Sequence, residues 1–363
     1  MERYRGYPVS FPQAALLVSS TQVPQRGFMD VIKLTRALVD IESITGHEKE
    51  VALFLETQLR PLAERYGGTL ELLEVEPDRF NVFASWGQPV VTLSTHMDTV
   101  PPFFPSSEDD EFVWGRGACD AKGVIASMIC ALEGLLHEGT RNVALLLVVG
   151  EERNSAGALH AARNPRGSRY LINGEPTGNK LARGSKGALR YEIEARGRMA
   201  HSAYPHLGES AILKLLDVLE ELRRLPLPSD PVLGPCTMNI GTITGGRAPN
   251  VIPDFARAEV FFRLVDDGAA IRSAVTSAAQ GRAEAREVLC VPAVRLRALE
   301  GFETDVVAFT TDIPAFGGAW GEPLLFGPGS ILVAHTNEER VPKQQLIDAT
   351  TLYQRMVRQL LNS

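Results

Sequence analysis

The sequence predicts an α/β fold interrupted by a smaller α+β domain, and three observations lead there. Through the first half, apolar runs such as ALLLVV alternate with helical patterns, as buried strands do in a sheet covered by helices. After Ser185 the style changes: ALRYEIEARGR alternates apolar and polar residues, as an antiparallel strand with one wet face does. After about Leu299 the first style returns. One domain, a mixed sheet covered by helices, is therefore read over residues 29–185 and 300–363, and a smaller ferredoxin-like domain over 186–299.

Residues 1–28 hold Arg3, Arg5 and the short piece AALLV but lack the apolar core and cleavage site of a targeting peptide. They read as a loose extension or a mis-assigned start. Met29 opens a first helix, with Leu34, Leu38 and Ile41 at helical spacing, and Glu48–Leu62 is a second. Asn81–Trp86 and Val90–Thr95 read as strands, followed by a Pro-rich acidic loop, Pro101–Glu111. The stretch AKGVIASMICALEGLLHEG places Val124, Ile125, Met128, Ile129, Leu132, Leu135 and Leu136 on one helical face, and Gly139 ends it. Asn142–Gly150 and Tyr170–Asn173 are the next strands.

Within the insert, Ala211–Leu225 and Ala269–Ala279 have helical patterns, while Thr237–Thr244 and Phe255–Val265 alternate. The order is strand–helix–strand–strand–helix–strand. The last segment supplies an apolar strand, SILVAH, and a closing helix from about Gln344.

The chain has 363 residues, enough for a large core, and a net charge of −7, which argues against nucleic-acid or anionic-membrane surfaces. No apolar stretch reaches the roughly 20 residues that span a bilayer. Cys119, Cys130, Cys236 and Cys290 form no close pair, which suits buried thiols in a reduced, cytoplasmic interior.

Function is concentrated where strands end. VVTLST runs into His96 and Asp98, LLLVVG into Glu151 and Glu152, YLIN into Gly174 and Glu175, and ILVA into His335; Asp120 opens the long helix. Singly these have bland readings: a core histidine, a helix N-cap, a solvated Glu-Glu turn. Together they do not. Two adjacent carboxylates at the end of a buried strand repel each other and resist desolvation, so a positive partner is needed. Ligands in open α/β sheets bind at the carboxyl ends of strands. Imidazole and carboxylate donors without thiolate suit zinc, cobalt or manganese. Two histidines with several carboxylates exceed the needs of one four-coordinate ion, and a bridging carboxylate can join two.

The stretches STHMDTVP, GRGACDAKG, GEERNSAGA, GEPT, GRMAHSAYPHLGESAI, GGRAPNVIPD and GPGSILVAHTNEERV run in this order over essentially everything after Met29. Together they resemble the dinuclear zinc amidohydrolases and peptidases that include acetylornithine deacetylase, succinyl-diaminopimelate desuccinylase and glutamate carboxypeptidase. The resemblance implies that His96 and Glu175 complete the site of one ion, that Glu152 and His335 complete the other, and that Asp120 bridges them. It implies that Asp98 fixes the His96 tautomer and that Glu151 is the general base, passing a proton from water to the leaving amine. By the same resemblance His201 stabilises the oxyanion, often in the other subunit's site, and Asn250 and Arg263 grip the substrate's carboxylate. The insert would then be a lid and dimerisation domain closing about hinges near Ser185 and Leu299.

Two departures stand out. Ala121 follows Asp120 where many relatives carry Met, and the tail after His335 is short. The expected activity is amide hydrolysis of a small N-acyl amino acid, acetylornithine deacetylase-like, by a homodimer with two divalent ions, zinc foremost. A dipeptidase or carboxypeptidase is the alternative, and a catalytically silent binder of amino acids or peptides would require lost ligands, of which there are none. Side-chain selectivity is expected from loops such as Ala315–Phe326.

Overall fold

The computed structural model describes residues 28–363. The expected extension therefore lies, but for Phe28, outside the described residues. The main sheet has six strands: β1 (Thr69–Glu76), β2 (Arg79–Trp86), β3 (Val91–His96), β4 (Val143–Val148), β5 (Tyr170–Asn173) and a last strand, Glu322–Leu325. Their spatial order is β1-β2-β4-β3-β5 followed by Glu322–Leu325. The first two pairings are antiparallel, and β4-β3-β5-Glu322–Leu325 is parallel throughout.

Every residue of β3, β4 and β5 is buried, because helices cover both faces. Leu145 and Leu147 face a core shared with α1 (Val31–Val39), α2 (Lys49–Tyr66), α3 (Lys122–His137) and the closing helix Lys343–Leu361. Leu146 and Val148 face the other way, into a smaller core with Ala158, Ala161, Phe316 and Trp320. The alternation is the period of two that a strand imposes. Helix α1 starts where the Asp30 side chain accepts the main-chain N–H groups of Ile32 and Lys33.

The insert forms a four-stranded antiparallel sheet in the order Thr237–Gly245, Phe255–Leu264, Gly187–Arg196, Glu284–Val291. Helices Ala211–Arg223 and Ala269–Ala279 pack on one face, over Leu189, Ile193, Val260 and Phe262. The other face is uncovered, as the alternating burial of Phe255–Leu264 records. Both chain crossings between the sheets are hydrogen-bonded: Leu181–Ser185 pairs with Val294–Arg295 and with Thr304–Val307. Gly187 follows, where a Cβ would strike the main chain at Val291–Ala293.

Two expectations fail. SILVAH is not a strand: Ser330 makes one isolated bridge, and Ile331–His335 is a turn whose Leu332 is 85% exposed. An apolar run marks a strand only if both faces are covered, and here nothing covers Leu332. Nor is Ala315–Phe326 a free loop. It contains the end of a short helix, Ile313–Phe316, and the strand Glu322–Leu325, with Trp320 and Phe326 fully buried. Only its start can reach a ligand. The strand Thr69–Glu76 was not anticipated.

Candidate metal centre

The parallel strands β3, β4 and β5 end on the same edge of the sheet, and their ends converge. His96 closes β3 and is buried with Asp98 and Glu175. Beyond β4 the chain turns at Gly150, whose φ of +82° favours glycine, and presents Glu151 and Glu152. After β5, Gly174 passes so close to α3 that a Cβ would strike Val124 and Met128; Glu175 follows.

Asp120 sits at the centre. Its Oδ1 is 3.0 Å from His96 Nε2, and its Oδ2 is 3.2 Å from His335 Nε2. Each histidine meets one further carboxylate: His335 Nε2 lies 3.0 Å from Glu152 Oε1, and His96 Nε2 lies 4.0 Å from Glu175 Oε2. Ligand atoms of His96, Asp120 and Glu152 all lie within 4.8 Å of one another. The five residues expected from strand ends and the helix start are thus gathered, although His335 arrives on a turn at φ +63° rather than from a strand.

Asp98 has a wider part than orienting one imidazole. His96 Nδ1 is 3.0 Å from the Asp98 main-chain oxygen and 3.5 Å from its Oδ1. The carboxylate itself accepts the main-chain N–H groups of Gly150 (3.0 Å), Glu151 (3.1 Å) and Glu152 (3.2 Å) and the Thr45 hydroxyl (2.8 Å). It latches the Glu-Glu turn to the end of β3.

The electrostatics call for cations. Burial, and then the neighbouring Glu175, push Glu151 well above the usual carboxylate range. Burial raises Glu152 and Glu175 as well. Hydrogen bonds to Asp120 and Glu152 raise His335 to about 10. Burial opposes charge on His96, yet Asp120, Asp98, Glu175 and Glu151 together hold its pKa high. Glu175 Oε1 is buried with no hydrogen-bond partner among the described residues. An orphaned carboxylate oxygen, two imidazoles and a shared carboxylate fit a pair of divalent ions.

A cavity of about 620 Å³ opens from this cluster, and Arg263 of the insert lines it together with Glu151. Arg263 is half-buried and makes no ion pair among the described residues; burial lowers its pKa. His201 and Asn250 are elsewhere. They are exposed neighbours at the insert's far tip, where His201 pairs with Val251 and Ser202 N–H donates to the Asn250 oxygen at 3.0 Å. Phe255 and Arg263 lie at opposite ends of one strand, about 26 Å apart at 3.3 Å per residue. His201 and Asn250 therefore lie toward the end of the insert away from Arg263, and neither lines the cavity.

Three residues near the site escaped sequence reasoning. Glu339 Oε1 accepts the main-chain N–H groups of Gly117 (2.9 Å) and Asp120 (3.2 Å), and its Oε2 accepts Arg116 Nη1 at 2.5 Å. It ties the loop carrying Asp120 to the segment carrying His335. Arg116, the second of the three, is buried with Glu339 and stacks over Phe104. Asp312 is buried, with Ser155 as its one polar side-chain neighbour but outside good hydrogen-bond geometry, and burial lifts its pKa to about 6. Glu339 lies within GPGSILVAHTNEERV, so its place was marked, though not its role. Asp312 precedes a short helix yet makes no side-chain cap, so its pattern pointed the wrong way.

The chain is similar to known peptidases in sequence and in fold. Residues 183–286 match a peptidase dimerisation domain. The chain is 39% identical to a peptidase M20 domain-containing protein of Schizosaccharomyces pombe, over 90% of this chain and 84% of the other. It is 37% identical to a probable carboxypeptidase of Aspergillus clavatus, over 91% and 82%. In fold it resembles the aminopeptidase PepT of Bacillus cereus, with TM-score 0.74, 18% identity and coverage of 91% and 98%. It also resembles a dinuclear metal-binding M20 peptidase of Bacillus subtilis, with TM-score 0.64, 18% identity and coverage of 89% and 95%.

Proposed function

The chain belongs to the M20 peptidase family of metal-dependent hydrolases acting on C–N amide bonds, and from that premise we propose that it releases a C-terminal amino acid from a short peptide or N-acyl amino acid. The observation that carries this reading is Asp120, whose two oxygens face two histidines, each beside its own further carboxylate. His96, Glu175 and Asp120 would hold one divalent ion, and His335, Glu152 and Asp120 the other. Bound there, such ions would lower the pKa of water and polarise the amide carbonyl; zinc suits the donor set best, with cobalt or manganese possible.

The chain's own groups do the rest. Glu151 is left without a ligand's duty, and burial beside Glu175 raises its proton affinity. That suits a base that takes a proton from water and returns it to the leaving nitrogen. Arg263, half-buried and unpaired among the described residues, receives the terminal carboxylate through a forked guanidinium; Asn250, beside His201 at the insert's other end, would join it only from a second subunit. His201 stabilises the developing oxyanion. Because it stands at the end of the insert away from Arg263 and does not line its own chain's cavity, it serves a second subunit of a homodimer. The uncovered edge strand Thr237–Gly245, with exposed Ile243, and exposed Leu213 and Leu216 on the adjoining helix support such pairing. We assign residues 29–185 and 300–363 to the catalytic domain and 186–299 to the lid.

An acetylornithine deacetylase-like activity is the second reading, supported by the same donor set. The probable carboxypeptidases among its relatives support the peptide reading over this one. Zinc- or cobalt-loaded protein should hydrolyse members of a panel of dipeptides and N-acyl amino acids, with about two ions per chain by mass spectrometry. No turnover across the panel would sink the proposal.

A further inference from the structure

The uncovered face of the insert's sheet has a second cavity, about 480 Å³, that shares Arg263 with the first and is also lined by Arg190, Asn239 and Phe261. We propose that this cavity is an anion subsite in which Arg190 takes the side-chain carboxylate of a C-terminal glutamate or aspartate. The inference rests on the reading above, that Arg263 receives the substrate's terminal carboxylate.

The pairing register places the groups. Arg190 lies opposite Phe261, and Arg263 opposite Ala188, so the two arginines are diagonal neighbours on one face. Such neighbours stand roughly 7–8 Å apart at the backbone, within the reach of long side chains. The Arg263 guanidinium lies over the Phe261 ring, 4.8 Å from its centroid, which holds it along the sheet. The two carboxylates of a glutamate are separated by roughly 5 Å from bond lengths alone, so one residue can bridge adjacent guanidinium groups.

Charge pairing on this face singles out the same two residues. Arg196 pairs with Glu194, Arg257 and Arg286 pair with Glu192, and Arg257 also faces Glu259. Among the described residues neither Arg190 nor Arg263 makes an ion pair. The face thus neutralises its cations everywhere except beside the two cavities. Glu259 also lines the second cavity, diagonal to Arg190 on the side opposite Arg263, but its ion pair is with Arg257, at 3.6 Å. An uncharged C-terminal residue would leave Arg190 unanswered, and a second carboxylate supplies what the face lacks.

The test uses metal-loaded protein and matched dipeptides, Ala-Glu and Ala-Gln, which differ only in the charge of the last side chain. The expected kcat/KM ratio is at least 10-fold in favour of Ala-Glu, expressed in KM. Arg190→Gln should bring the ratio toward one, whereas Arg286→Gln, on the same face but paired to Glu192, should leave it unchanged. Equal handling of the two dipeptides by the wild type, or a ratio that survives R190Q, overturns the subsite. If neither these dipeptides nor any other member of the panel is cleaved, the peptidase reading is what has failed. Calorimetric binding of the same two dipeptides to wild type and R190Q then decides the subsite independently.

Discussion

The two sheets treat charge in opposite ways. Where β3, β4 and β5 end, acids and imidazoles are buried, crowded and held by main-chain donors, so their positions are set before any ligand arrives. On the insert's uncovered face, charged groups stand in water and trade partners along a ladder of ion pairs. The first arrangement suits chemistry that needs fixed distances, because crowded acids inside a protein demand cations at one place only. The second suits groups that meet the substrate as it binds. On the proposed reading the insert adds selectivity and reach to a centre that the larger domain builds from its own residues.

The largest test of that division lies in the buried cluster. Glu151→Gln should lower kcat by on the order of 10³-fold while sparing metal content, the loss expected of a general base. Normal rates would remove Glu151 from the mechanism. On the insert's side, His201→Ala should lower kcat by about 10²-fold with little change in KM, as for an oxyanion donor. Mixing H201A with E151Q subunits sharpens the comparison. A hybrid dimer in which His201 acts across the interface regains one intact site, so the mixture should exceed either parent in activity; no gain would place His201 in its own subunit.

Smaller effects belong to the support around the cluster. Glu339→Gln keeps an acceptor but spoils the contact with Arg116, and should weaken metal affinity about 10-fold without unfolding the protein. Dialysis against a chelator, with a cobalt absorption spectrum as the reporter, measures it. The last effect concerns pH. His335, raised to about 10 in the metal-free protein, must shed its proton to bind an ion. Metal uptake should therefore release protons and weaken as pH falls, with the dependence extending upward toward pH 10. Titrations in buffers of different ionisation enthalpy will count those protons, and a count of zero would contradict the assignment of His335.

The larger sheet was the more legible of the two in the sequence. Runs such as VVTLST and LLLVVG admit one placement, buried on both faces, and whatever follows them must lie at the sheet's edge. That reasoning located His96, Glu151, Glu152 and Glu175. It misplaced SILVAH because exposure, which makes that apolar run a turn, is a tertiary property: Leu332 has no neighbour to cover it. The same limit hid Glu339 and Asp312, whose partners, or lack of them, are set by segments far away in the chain. In the insert, alternation gave the strands and helices in order. It could not say which arginines on the wet face are already paired.

One consequence of Asp120 touching both histidines concerns how the centre fills. An ion settled between His96 and Glu175 would fix one oxygen of Asp120 and thereby aim the other at His335, with the Asp98 latch keeping Glu152 in step. Loading should then be cooperative, with half-filled protein scarce at every concentration of metal.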